Sequence, residues 1–132
     1  MTLTHLNPES LHRSPVFSQG VQVEGAGRLV VVGGQNGVDA TGAVVGTDLG
    51  TQSVQALRNV LAVLGEAGAA QENVIRLTVY LVGPADATAA YAAAQEVWGA
   101  HPTAVTVLQV AGLARPDCLV EVEALAHVPS GS

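Results

Sequence analysis

The chain has 132 residues, 48% hydrophobic but only 3% aromatic, and a net charge of −6 in which every basic residue is an arginine. That length bounds one domain around a single core, the lack of a basic stripe disfavours nucleic-acid phosphates as partners, and the lack of lysine removes Schiff-base and P-loop chemistry. A lone Cys118 excludes an intrachain disulfide and a cysteine-based zinc cluster, no apolar run reaches the ~20 residues of a membrane span, and Met1 to Arg13 has no signal-peptide core, so a cytoplasmic protein is expected.

Met1 to Ser14 reads as a frayed end. Phe17 to Glu24 alternates weakly, Gly25-Ala26-Gly27 turns the chain, and Arg28 to Val32 is a dense apolar run ending in Gly33-Gly34, which together predict a β-hairpin. A loop rich in Gly, Asp and Thr follows from Asn36 to Thr47. Asp48 is a candidate N-cap, Val54, Leu57, Val60, Leu61 and Leu64 fall on one helical face, and Gly68 is the expected stop. Val74 to Val82 is a strand with Ile75, Leu77, Val79 and Leu81 on one side and Val74, Arg76, Thr78 and Tyr80 on the other. Pro84 and Asp86 open a second helix, Ala87 to Gly99, with an apolar stripe of Ala90, Tyr91, Ala94, Val97 and Trp98. Pro102 ends it. Thr103 to Ala111 and Cys118 to His127 are the last two strands, joined by a loop containing Arg115-Pro116-Asp117, and Pro129 to Ser132 frays.

The order is therefore β-β-α-β-α-β-β, an α+β domain spanning residues 1–132 with an ordered core of about 15–127. Its large anchors are expected to be Trp98, Phe17, Tyr80 and Tyr91. Two helices cover one face of the sheet, and the apolar strands leave the opposite face needing a partner, so self-association sheet to sheet is expected.

The strand pair between His101 and His127 is the expected seat of function. Glu121 and Glu123 point to the same side of their strand about 7 Å apart; one of them could activate a water, or both could lie on a solvated face. Gly33-Gly34-Gln35 could let a ligand approach the backbone, but no helix follows at once, so it is no dinucleotide fingerprint and reads as a turn. His5, His12, His101 and His127 fit no HExxH or HxH spacing, so no metal is expected. Cys118 opens an apolar strand, where a buried inert thiol is the default.

Several segments resemble the RidA (YjgF) family of small trimers with a chorismate-mutase-like fold, whose best known members hydrolyse enamines and imines. The similarity runs from about Pro15 to Ala126: Pro15-Val16-Phe17-Ser18-Gln19-Gly20 resembles the opening strand, Val32-Gly33-Gly34-Gln35 the Ser-Gly-Gln turn, and Asp48 to Gly68 the first helix. Gln109-Val110-Ala111-Gly112-Leu113 and Val120-Glu121-Val122-Glu123-Ala124-Leu125-Ala126 resemble the C-terminal signature. The resemblance implies a homotrimer, no cofactor, and a small-molecule pocket between subunits. In deaminating members an Arg on the penultimate strand clamps the substrate carboxylate; Val105 stands at that position here. Gly33 replaces the family's Ser and Phe17 its Tyr, while Tyr91 falls near a family Asn. Gly34, the Val107 backbone, and Glu121 in the place of the water-orienting Glu remain. The implied function is small-molecule binding with weak or absent 2-imino-acid deaminase activity. The alternatives are a hydrolase or tautomerase that uses Glu121 on another substrate and an interaction module without chemistry. Arg76 and Arg115 are the nearest substitute cations, although a surface ion pair is the simpler role for either.

Overall fold

The computed structural model describes residues 2–130. The longest element is the helix α1, Leu49–Glu66, which starts where Asp48 accepts the Thr51 amide at 2.9 Å and buries Ala56, Leu57, Val60 and Leu64 along one face. It ends as the sequence predicts: Gly68 has φ of 72°, the Ala69 amide bonds the Leu64 carbonyl at 2.8 Å, and the Gly68 amide bonds that of Gly65 at 3.0 Å. This is the paired bonding of a Schellman motif, which satisfies the last carbonyls of the helix.

The predicted β-β-α-β-α-β-β order is present, preceded by one further strand. β1 is Thr2–Leu6, β2 Gly20–Glu24, β3 Gly27–Asn36, β4 Val74–Val82, β5 Ala104–Val110 and β6 Val120–Pro129, with α2, Ala87–Val97, between β4 and β5. The segment expected to fray thus contributes β1, which pairs antiparallel with β2 from Thr2 opposite Glu24 to Leu6 opposite Gly20. This pairing replaces the expected hairpin: β2 is bonded to β1, and β3 joins a separate four-stranded sheet of order β3-β6-β4-β5. Residues beyond Ser130 lie outside the described ones; Pro129 is the last residue of β6.

That sheet is mixed, with β6 antiparallel to both β3 and β4, and β5 parallel to β4. β5 and β6, sequential in the chain, are therefore not neighbours, because β4 lies between them. A parallel β4-β5 pair needs a crossover, and α2 supplies it. Both helices pack on one face, where Val32, Leu77, Leu81, Val120, Val122 and Ala124 meet α1 and Trp98 in the main core. Of the expected aromatic anchors only Trp98 is buried; Tyr91 is 49% exposed, and Phe17 and Tyr80 are half-buried.

Two bulges decide which side chains share a face. Between Val74 and Arg76 of β4 the register against β6 advances two residues for one, so Ile75 is the extra residue. Val74 therefore joins the core at 2% exposed, and Ile75, expected on that side, is displaced from it. In β3 the register slips between Val32 and Gln35, so Gly33-Gly34 is a bulge inside a strand that continues to Asn36, and not a turn that ends it.

Side-chain amides hold the loops around the helix. Gln52, fully buried on α1, donates to the carbonyls of Gly46 and Asp117 and accepts the Leu119 amide at 2.7 Å. Asn59 donates to the carbonyls of Asn36 and Val38. These bonds tie α1 to the end of β3 and to the loops before and after it. No helix among the described residues is long and apolar enough to cross a membrane.

Candidate functional site

Strand alternation divides the expected site residues between two faces of the sheet. On β5, Val105 and Val107 point toward α2; on β6, Val120, Val122 and Ala124 are buried beneath the helices, so Glu121 and Glu123 point to the open face. Glu121 and Val105 are thus on opposite faces of the sheet, with β4 between their strands, although the sequence places both in the strand pair expected to form the site.

On the helix face, Phe17, Tyr91, Val105 and Val107 come together around one cavity of about 390 Å³. Phe17 is delivered by the segment before β2: the Ser18 amide bonds the Thr103 carbonyl at 2.9 Å, and Ser18 forms a parallel bridge with Ala104, which lays the chain along the start of β5. Tyr91 reaches the rim from α2. That helix packs chiefly against α1, and its alanines leave space above β4 and β5. The floor is apolar, formed by Leu77, Leu81, Val120 and Val122, with Trp98 and His101 at the side. Among the described residues, no Asp, Glu or Arg lines it.

On the open face, Glu121 sits against the β3 bulge. A Cβ at Gly34 would collide with the Glu121 carboxylate, whereas one at Gly33 would meet nothing within 4 Å. Gly34 thus makes room for the Glu121 carboxylate in its observed position, and Gly33 borders open space. Asn36 donates to Glu121 Oε1 at 3.3 Å and to the Val120 carbonyl at 2.9 Å. Glu123 accepts the Tyr80 hydroxyl at 2.7 Å. That bond, reinforced by desolvation and by the charge of Glu123, pushes the Tyr80 phenol above its ordinary value, against the opposing pull of Arg76. Arg76, Thr78 and Glu123 also line a small groove of about 230 Å³ beside Val31.

Neither substitute cation reaches the cavity wall. Arg76 lies on the open face by Glu123, and Arg115 is held at the surface by Asp117 at 3.6 Å and the Gly42 carbonyl at 2.7 Å. Cys118 is buried at 1% exposed, and burial raises its thiol pKa, which disfavours the thiolate a nucleophile needs. No group of three potential metal ligands occurs among the described residues.

Sequence reasoning missed Asn36 and Tyr80 as partners of the two glutamates. The signal was absent because both contacts depend on which strands flank β6, and neither flanking strand is adjacent to it in the chain. Of the cavity wall it named Phe17, Tyr91, Val105 and Val107 and missed Trp98, His101 and Leu77, because the gap over these depends on where α2 rests.

The family model described as Endoribonuclease L-PSP matches residues 8–128. A RutC family protein of Pyrococcus abyssi is 33% identical over 112 residues, covering 84% of this chain and 85% of its own. The crystal structure of YyfB from Yersinia pestis, a Rid-family protein of unknown function, superimposes with a TM-score of 0.86 at 35% identity, covering 97% of this chain and all of that one. A Mycobacterium tuberculosis protein of the family that includes YjgF superimposes with a TM-score of 0.65 at 30% identity over 96% of this chain and all of its own. With its sequence matched from end to end of the sheet and its two-helix mixed-sheet architecture shared, this chain belongs to the Rid (YjgF, endoribonuclease L-PSP) family.

Proposed function

We propose that the protein is a homotrimer that binds a small, uncharged metabolite in pockets between subunits, and that it hydrolyses 2-imino acids weakly or not at all. The observation that carries this reading is Val105 on a cavity wall that, among the described residues, has no Asp, Glu or Arg, at the position where deaminating relatives bear the arginine that clamps a carboxylate. A hydrogen bond to a charged group contributes about 1.5 to 3 kcal/mol and an arginine can make two to one carboxylate, so its loss weakens carboxylate binding by a factor of 100 or more. The proposed contact between subunits is supported by the open sheet face, where Leu29 is 61% and Val31 68% exposed. Apolar side chains at that density favour burial against a second copy. Light scattering should then give three times the 13.3 kDa protomer mass. The name endoribonuclease borne by the family model has no counterpart in this composition, which offers no basic stripe for a phosphate backbone.

The test of the activity is ammonia release from freshly generated 2-iminopropionate. Little acceleration over the uncatalysed rate is expected; turnover equal to that of arginine-bearing relatives refutes the proposal.

A second reading keeps the protein an enzyme, with Glu121 as general base toward a water or a substrate C–H. It is favoured by the Glu121 carboxylate, which keeps Oε2 without a hydrogen-bond partner among the described residues while Asn36 orients Oε1. Under this reading Glu121→Gln abolishes turnover of whatever substrate is found and leaves the fold intact, and unchanged turnover ends it.

A further inference from the structure

The sheet face turned away from the helices is not uniform. Its outer strands carry apolar side chains, Leu29 and Val31 on β3 and Leu108 on β5, all of them exposed. Its inner strands carry charge, Glu121 and Glu123 on β6 and Arg76 on β4. Because β6 and β4 lie between β3 and β5, a partner that covers both apolar flanks also takes the charged centre out of water.

Two of those three charges have a partner within the chain: Asn36 donates to Glu121 and Tyr80 to Glu123. Arg76, an exposed residue, takes part in no ion pair and no side-chain hydrogen bond among the described residues. The carboxylate nearest to it by register is Glu123, which stands opposite Thr78, with Arg76 two residues before Thr78 on β4 and Tyr80 two residues after it. The bond from the Tyr80 hydroxyl, at 2.7 Å, therefore draws Glu123 to the side away from Arg76. Glu123 Oε2 accepts nothing among the described residues, although Glu123 and Arg76 line the same groove. A guanidinium buried without a counter-charge is strongly unfavourable, and so is a half-satisfied buried carboxylate. Each face thus offers one cation and one carboxylate oxygen that another such face can satisfy, and a second copy of this chain brings both.

We propose that Arg76 of one protomer pairs with Glu123 of the next across this face, and that the pair fixes how copies of the chain register against one another. Each protomer gives its arginine to one neighbour and its carboxylate to the other, a head-to-tail contact that closes into a ring. This rests on the self-association proposed above, and it adds the residues that select the partner.

The test is charge exchange between separately tagged chains, read by sedimentation over a dilution series. Arg76→Glu and Glu123→Arg each set like charges against one another at every contact, so either variant alone should dissociate at a concentration at least tenfold higher than the wild type. Both changes in one chain match every contact again, and the midpoint should return to within about threefold of the wild type. Mixing the two single variants should recover assemblies that carry both tags, though only in part, because a ring of three built from them has two matched contacts and one of like charge. Arg76→Gln removes the charge without adding repulsion, guards against a reversed variant that fails to fold, and should also weaken assembly at least tenfold. Arg76→Gln that assembles like the wild type leaves Arg76 facing solvent or a foreign partner and overturns the pairing. Single variants that never combine, while the double variant recovers, place the pair within one chain and overturn it too, as does recovery of Arg76→Glu chains by Glu121→Arg and not by Glu123→Arg chains. A wild-type monomer refutes the assembly and the pair together, whereas a wild-type trimer matched by Arg76→Gln refutes the pair alone.

Discussion

Replacing Gln52 by Leu isolates what one buried amide contributes to the path leading into β6. The side chain is fully buried and makes three bonds: Nε2 to the Gly46 carbonyl at 3.3 Å and the Asp117 carbonyl at 3.1 Å, and Oε1 from the Leu119 amide at 2.7 Å. Leucine keeps most of the volume and makes none of them. Gly46 and Asp117 are exposed residues, so their carbonyls can turn to water, while the Leu119 amide is half-buried one residue before β6. A stranded buried donor costs about 1 to 3 kcal/mol, and the weaker losses at the two carbonyls are offset in part by the apolar gain of leucine. The net expectation is about 2 kcal/mol. For a chain of this size that corresponds to a melting temperature lower by about 6 °C, and to a urea midpoint lower by about 1 M for a slope of about 2 kcal/mol per molar. Both should be read at matched protein concentration, since association would contribute. Hydrogen exchange should localise the effect, with protection of the Leu119 amide falling more than that of Leu57 on the same helix. An unchanged midpoint, or a loss spread evenly over α1, would refute the claim that Gln52 acts by holding the entry to β6.

Other expectations follow from single contacts. Gly34→Ala should swing the Glu121 carboxylate away from Asn36 at little cost in stability, because what its Cβ meets is the movable end of that side chain, whereas Gly33→Ala, with nothing within 4 Å, should leave the carboxylate in place; an unmoved Glu121 in the structure of the Gly34 variant would remove the steric argument. Asp48 and Asp86 have carboxyls held below the ordinary value of 3.8, chiefly by hydrogen bonds from Thr51 and Thr88 at the helix starts. A lowered folded-state pKa gives stability that is present above about pH 4 and is lost as the pH falls through the folded value. Asp48→Asn with Asp86→Asn, which keep a capping oxygen, should therefore flatten the acid limb of a stability–pH curve and leave the neutral plateau nearly unchanged.

The parts of the fold that could be read from sequence were those fixed by local chemistry. α1 has an apolar period, a capping Asp48 and a Gly68 that takes positive φ, and all three act within a few residues of one another. The parts that escaped depend on contacts between distant segments. A bulge adds one residue and inverts every assignment before it, which is why Val74 and Ile75 exchanged roles, and nothing in the run from Val74 to Val82 marks the bulge itself. Gly33-Gly34 carries the composition of a turn and is kept extended by its partner β6, which lies far along the chain. β1 was overlooked because Thr2–Leu6 is short and polar, and its order comes from pairing with β2 and from bonds such as His5 Nδ1 to Ser18 Oγ at 2.7 Å. The candidate site was legible as a set of residues, not as an arrangement. Periodicity put Glu121 and Glu123 on one side of their strand, but it could not reveal that Val105 lies on the other side of the sheet.

That separation gives the strongest test of the proposed pockets between subunits. Within one chain, Val105 and Glu121 face opposite ways and share no partner, so changes at the two positions should act independently. If a second copy brings the open face of one subunit to the β5 edge of the next, the two positions serve one pocket and their effects must couple. Val105→Arg should then raise 2-iminopropionate hydrolysis at least tenfold by supplying the missing cation. Adding Glu121→Gln should remove that gain, since loss of a general base costs about 100-fold or more. Glu121→Gln alone should change little, because the starting chain lacks the clamp that would hold the substrate near the carboxylate. Additive effects across the four proteins would mean that the carboxylate and the cavity wall belong to separate sites, and the pocket between subunits would have to be abandoned even if the protein proves to be a trimer.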